Sequence, residues 1–120
     1  MNKVATYVIA LSLVIGSVGI ACADDAAAKS VTGNLEDSYC YGTMGAKGPS
    51  HKMCALKCAA KGIPVALVEK GSDKIFVLLP NKDESPLPED VTHRMEDEVT
   101  ITGKEYSKGG VNFLVVDSVK

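Results

Sequence analysis

Glu98-Val99-Thr100-Ile101-Thr102-Gly103-Lys104, the turn Ser107-Lys108-Gly109-Gly110 and the return Val111-Asn112-Phe113-Leu114-Val115-Val116 form the stretch that decides the fold. Val99, Ile101 and Gly103 alternate with Glu98, Thr100, Thr102 and Lys104. That alternation gives a strand with one buried face and one wet face. The glycine pair turns the chain, and the return strand is more apolar. Reading outward from this hairpin, Val65–Val68 and Ile75–Leu79 are two further β-rich runs. They are separated by the turn-forming segment Glu69-Lys70-Gly71-Ser72-Asp73-Lys74. Pro80 ends the second of them. Asn81 to Pro88 is polar and punctuated by proline, and Pro88 to Glu96 predicts a short helix with Leu87, Val91 and Met95 on one side.

Nearer the start, Val31-Thr32-Gly33-Asn34-Leu35-Glu36-Asp37 alternates again, placing Val31, Gly33 and Leu35 on one face. A glycine-rich loop is expected from Tyr41 to Pro49, carrying Gly42, Gly45 and Gly48. Ser50 is then placed to cap a helix from His51 to Lys61, which Gly62 and Pro64 bring to an end. The expected fold class is therefore mainly β (α+β): a five-stranded barrel like an OB-fold. A Cys-bearing helix is inserted between strands 1 and 2, and a short helix lies between strands 3 and 4. The choice of the OB-like barrel within that class rests on the order of elements. No internal repeat, second domain or coiled coil is visible.

Residues 1–23 read as a signal peptide. Met1-Asn2-Lys3 leads into an apolar run from Val4 to Ile20, and Ala21-Cys22-Ala23 offers a small-residue cleavage site. An alternative is a lipoprotein acylated at Cys22, although Gly19 stands where a larger aliphatic residue is usual. Cleavage after Ala23 predicts a periplasmic or secreted protein with a polar leader, 24–30, and one domain, 31–120, without a stable membrane span. It removes Cys22 and leaves Cys40, Cys54 and Cys58, an odd set for an oxidising compartment. The formal net charge of the 120-residue chain is −2, and tryptophan is absent. Such a chain lacks the basic patches and stacking platforms that nucleic-acid binding requires.

The chemistry concentrates in Cys40, His51, Cys54 and Cys58. On a helix Cys54 and Cys58, four apart, share a face, with His51 on the same side three residues earlier. Met53, Leu56 and Ala60 would then face the barrel, with Met53 in the core. Three thiols and an imidazole make a legitimate zinc set, and thiolates also suit copper(I), with the Met44 and Met53 thioethers as further soft donors. The same cysteines allow a disulfide between Cys40 and either Cys54 or Cys58, leaving one spare thiol. They also allow a redox-active pair. These three states remain open on the residues alone.

Other features carry less. His51 by itself reads as an ordinary helix-start histidine, and His93 as solvated. The loop Gly42-x-x-Gly45-x-Lys47-Gly48 lacks the ending of a nucleotide-binding loop and reads as a spacer. Glu96-Asp97-Glu98 reads as a solvated helix end. No Ser–His–Asp set, paired carboxylates or cofactor fingerprint emerges, so no enzyme class is assigned.

Asp37-Ser38-Tyr39-Cys40, His51-x-x-Cys54-Ala55-x-x-Cys58, Gly62-Ile63-Pro64 and Thr102-Gly103-Lys104…Gly109-Gly110-Val111 span nearly all of the expected domain. On these motifs the chain resembles a group of small exported bacterial proteins with an OB-like fold and no settled activity. The resemblance implies the fold and draws attention to the cysteines. It supplies no substrate. Three functions follow as expectations. The first is a small binding protein with a zinc or copper site on Cys40, His51, Cys54 and Cys58. The second is a disulfide-stapled interaction module for a protein partner or an oligosaccharide. The third is a thiol-redox helper.

Overall fold

A computed structural model describes Ala26 and residues 28–120. The expected signal peptide and the first part of the leader lie outside the described residues. Five strands are present: β1 (Ala28–Asp37), β2 (Val65–Glu69), β3 (Ile75–Leu79), β4 (Glu98–Lys108) and β5 (Val111–Val119). They close into a barrel in the order β1-β2-β3-β5-β4, with β4 returning to pair with β1. Every neighbouring pair is antiparallel except β3 and β5, which run parallel. This is the OB-like barrel expected from the order of elements. β1 starts at Ala28, inside the segment read as leader.

Period-2 alternation fills the barrel as anticipated. Val31 and Leu35 of β1, Leu67 of β2, Phe76 and Leu78 of β3, Val99 and Ile101 of β4, and Leu114 and Val116 of β5 form one buried cluster. The register sets Leu35 opposite Leu67 and Val31 opposite Ile101. A single turn of helix, α3 (Glu89–Thr92), follows the proline-rich segment. It is shorter than the sequence suggested, yet Val91 and Met95 are fully buried and Leu87 packs beside them, as the spacing requires. At the other end of β1 from Asp37, the Lys29 and Lys74 ammonium groups lie 5.3 and 4.7 Å from the centre of the Phe76 ring. Both bond to Glu105 at 2.6 Å, which covers the aromatic core there. Among the described residues, no helix is long and apolar enough to cross a membrane.

The insertion between β1 and β2 differs from expectation in three ways. The glycine-rich loop is partly a helix, α1 (Ser38–Met44). Asp37 caps it, its Oδ1 accepting from the Cys40 N–H at 2.8 Å, and Gly45 ends it at φ 65°. An N-cap aspartate followed by a left-handed glycine is enough to stabilise a two-turn helix despite Gly42 within it. Secondly, Ser50 caps nothing. It sits inside a 3-10 turn, Pro49–His51, which proline starts with its fixed φ, and α2 (Lys52–Ala60) continues from there. Thirdly, α2 packs on the barrel through Ala55, Leu56 and Ala59. Met53 lies opposite Ala55 at 100° per residue and is 67% exposed, so it is not core, and Ala60 is exposed as well. Small alanines let the helix approach the sheet closely. That puts Cys54 and Cys58 on the flank of α2.

Two strand glycines make barrel closure possible. A Cβ on Gly103 would collide with the Val115 carbonyl oxygen, beside the irregularity in the β4–β5 register, and one on Gly33 would collide with the Val68 carbonyl oxygen. Gly103→Ala is therefore expected to destabilise the fold by about 1–3 kcal/mol, the usual cost of overpacking. Urea unfolding of the variant checks this, and an unchanged midpoint would contradict the close approach.

Candidate metal centre

The site grows from the end of β1. Leu35, Glu36 and Asp37 are buried in succession, which breaks the alternation because the helices of the insertion cover the outer face of the strand here. Asp37 uses both carboxylate oxygens. Oδ1 holds the first turn of α1 through Cys40, and Oδ2 lies 2.8 Å from His51 Nε2 at the start of α2. One side chain thus ties both helices to the barrel. Burial works to raise the Asp37 pKa, but the Cys40 N–H and the His51 ring outweigh it and hold the carboxyl below the ordinary aspartate range.

Around this pair the donor atoms fall into three sets, each within 4.8 Å of one another: Cys40, His51 and Cys54; Asp37, Cys40 and Cys58; and Asp37, His51 and Glu96. All four residues expected from the sequence are therefore drawn to one place. They are organised about Cys40, which stands in both thiol-containing sets, and Cys54 and Cys58 do not share a set. Among the described residues, the three thiols are free and no disulfide joins them. Cys40 is buried, Cys58 half-buried and Cys54 exposed, which leaves the cluster reachable from one side. Burial, then the Asp37 carboxylate, pushes the Cys40 thiol up to about 12, and the same two causes raise Cys58. Both rest as neutral thiols at neutral pH. The arrangement is a Cys/His/Asp cluster of the kind that could hold a metal ion.

Glu36, Asp37 and Glu96 went unnoticed as site residues in the sequence. The acidic run 96–98 is not uniformly solvated. Glu98 is exposed and pairs with Lys70, and Asp97 pairs with Lys52, but Glu96 is only 6% exposed. Its backbone takes φ 67°, fixed by an N–H bond to the Leu35 carbonyl at 2.7 Å. The glycine loop is more than a spacer at one point, since the Gly48 N–H donates to Glu96 Oε2 at 2.6 Å. Glu36 is buried beside Glu96, so paired carboxyl groups exist after all. Sixty residues separate the two in the chain, too far apart for a spacing pattern to reveal. A clue to Asp37 was present: an aspartate three residues before Cys40, followed by Ser38, is a helix-start signal. Met44 is 66% exposed, and His93 is exposed, as expected.

No family model matches the chain, and neither a curated protein nor a solved structure matches it. The barrel agrees with the fold implied by the motif resemblance, and the site has to be argued from its own geometry.

Burial, followed by the hydrogen bond and negative charge of Glu96, pushes the Glu36 carboxyl up from 4.5 to about 8. The folded state then holds a proton that the unfolded chain releases. The stabilising contribution is complete below pH 4.5 and is lost as pH rises towards about 8. Asp37 acts in the opposite sense, its contribution fading as pH falls below the aspartate range. Stability should therefore peak at mildly acidic pH. Glu36→Gln should flatten the decline between pH 5 and 8, measured by denaturant unfolding across pH; an identical slope in the variant would contradict this account.

Proposed function

We propose that this chain is an exported, non-enzymatic metal-binding protein that holds a soft ion, zinc or copper(I), on Cys40, His51, Cys54 and Cys58. The observation that carries the reading is the position of Cys40, whose sulfur stands within 4.8 Å of donors on both sides. Three thiolates and one imidazole fill a tetrahedral zinc shell, and the thiolates alone suit copper(I). A metal-bound histidine characteristically gives its other ring nitrogen to a carboxylate, and Asp37 Oδ2 already occupies Nε2. That leaves Nδ1 for the ion.

The raised thiol pKa values of Cys40 and Cys58 count against either of these two as the attacking sulfur of a redox helper, which needs to be a thiolate near neutral pH. They fit a site in which the arriving metal displaces protons, so affinity should weaken as pH falls. An interaction module remains the second reading, favoured by a groove of about 690 Å³ between α2 and β3, lined by Leu56, Ile63, Val77, Leu79 and Leu87. Under that reading the cysteines would serve as a staple.

Thiol counting under denaturation, together with metal analysis of the mature protein taken from the periplasm, separates the readings. The metal reading expects three free thiols and close to one equivalent of zinc or copper, with Cys54→Ser losing most of the metal. A single free thiol and no metal after supplementation would overturn it.

A further inference from the structure

Three carboxyl groups, Glu36, Asp37 and Glu96, are at most 6% exposed, and those of Asp37 and Glu96 meet beside the His51 imidazole. Burying the Asp37 and Glu96 groups is costly unless cations or donors answer them. Among the described residues, only His51 answers within salt-bridge distance, through Nε2, which is 2.8 Å from Asp37 Oδ2 and 4.0 Å from Glu96 Oε1. Lys47 acts on Glu36 only through space, from an exposed position. The donors available are incomplete as well. Glu96 Oε1 and Glu36 Oε2 are buried and have no hydrogen-bond partner among the described residues. The Glu96 side chain is 1% exposed, and its unpartnered oxygen is the one that faces His51. Asp37, His51 and Glu96 also present donors within 4.8 Å of one another.

We propose that Asp37, His51 and Glu96 form a second cation position, oxygen-rich and separate from the thiols, which takes a hard divalent ion such as Mn²⁺. The ion replaces the proton now shared between His51 Nε2 and Asp37 Oδ2 and gives Glu96 Oε1 the partner it lacks. Carboxylate and imidazole donors select such ions, whereas thiolates select soft ones. His51 and Asp37 each stand in a thiol-containing set too, so the two positions share ligands and compete. The oxygen-rich position stays available when the thiols are engaged elsewhere. It does not depend on the soft-metal reading, because none of its ligands is a cysteine.

Mn²⁺ titration by calorimetry on the Cys54→Ser/Cys58→Ser variant provides the test, since those positions are exposed and half-buried and their loss leaves the core intact. One equivalent should still bind, and adding Glu96→Gln should weaken binding at least tenfold, while Glu98→Gln, on the exposed end of the same acidic run, should not. Absence of binding in the double variant, or binding within twofold after Glu96→Gln, would overturn the proposal. A second measurement needs no variant. Mn²⁺ added to the unaltered protein should broaden the amide NMR signals of Gly48, His51 and Glu96 before those of Lys29 at the far end of β1. Broadening confined to exposed acids such as Asp83 and Glu84 would overturn it equally. The soft-metal reading fails separately, if the unaltered protein shows one free thiol and no metal.

Discussion

The two oxygens of Asp37 hold this molecule's distinctive part together. β1 pairs with β2 as far as its last residue, Asp37 opposite Val65, while its pairing with β4 ends at Asn34. Asp37 carries that placement outward, capping α1 with one oxygen and fixing His51 with the other. Cys40 is set by the same cap, being the residue whose N–H the carboxylate accepts. The flank of α2 that bears Cys54 and Cys58 is set by the close fit of Ala55 and Ala59 to the barrel. The candidate centre is thus positioned by strand pairing and helix packing, and it needs no disulfide to draw its thiols together.

The barrel was legible in the sequence because it depends on local rules. Alternation in 98–104 and 31–37, the turns at Gly71 and Gly109-Gly110, and the proline-bounded short helix all have period or turn chemistry that can be read directly. The closing pair, β3 with β5, follows from the order of elements. The insertion was less legible. Gly42, Gly45 and Gly48 outweighed the helix-start signal of Asp37-Ser38, so α1 was read as a loop. Helical phase relative to the cysteines points Met53 toward the core, whereas the face of α2 that packs on the barrel is centred on Ala55 with Leu56 and Ala59, and alanine tells little about burial from sequence alone.

The cysteines and His51 could be found by type and spacing. The acids could not. Glu36 interrupts no pattern, and Glu96 belongs to a charged run that reads as surface; only the fold reveals that insertion and barrel enclose both. The consequence is chemical as well as structural. Burial, then the Asp37 carboxylate, raises the Cys40 thiol, and the same carboxylate holds His51 in one orientation. Asp37 and His51 each belong to a set that contains thiols and to the set that contains Glu96.

The central claim is that Cys40 is the hub of a sulfur-dominated metal site. X-ray absorption at the zinc edge of the zinc-loaded, fully reduced protein tests it most directly. The account predicts a first shell dominated by sulfur at about 2.3 Å with a single nitrogen at about 2.0–2.1 Å. A shell of oxygen and nitrogen alone, with no sulfur scattering, would contradict it.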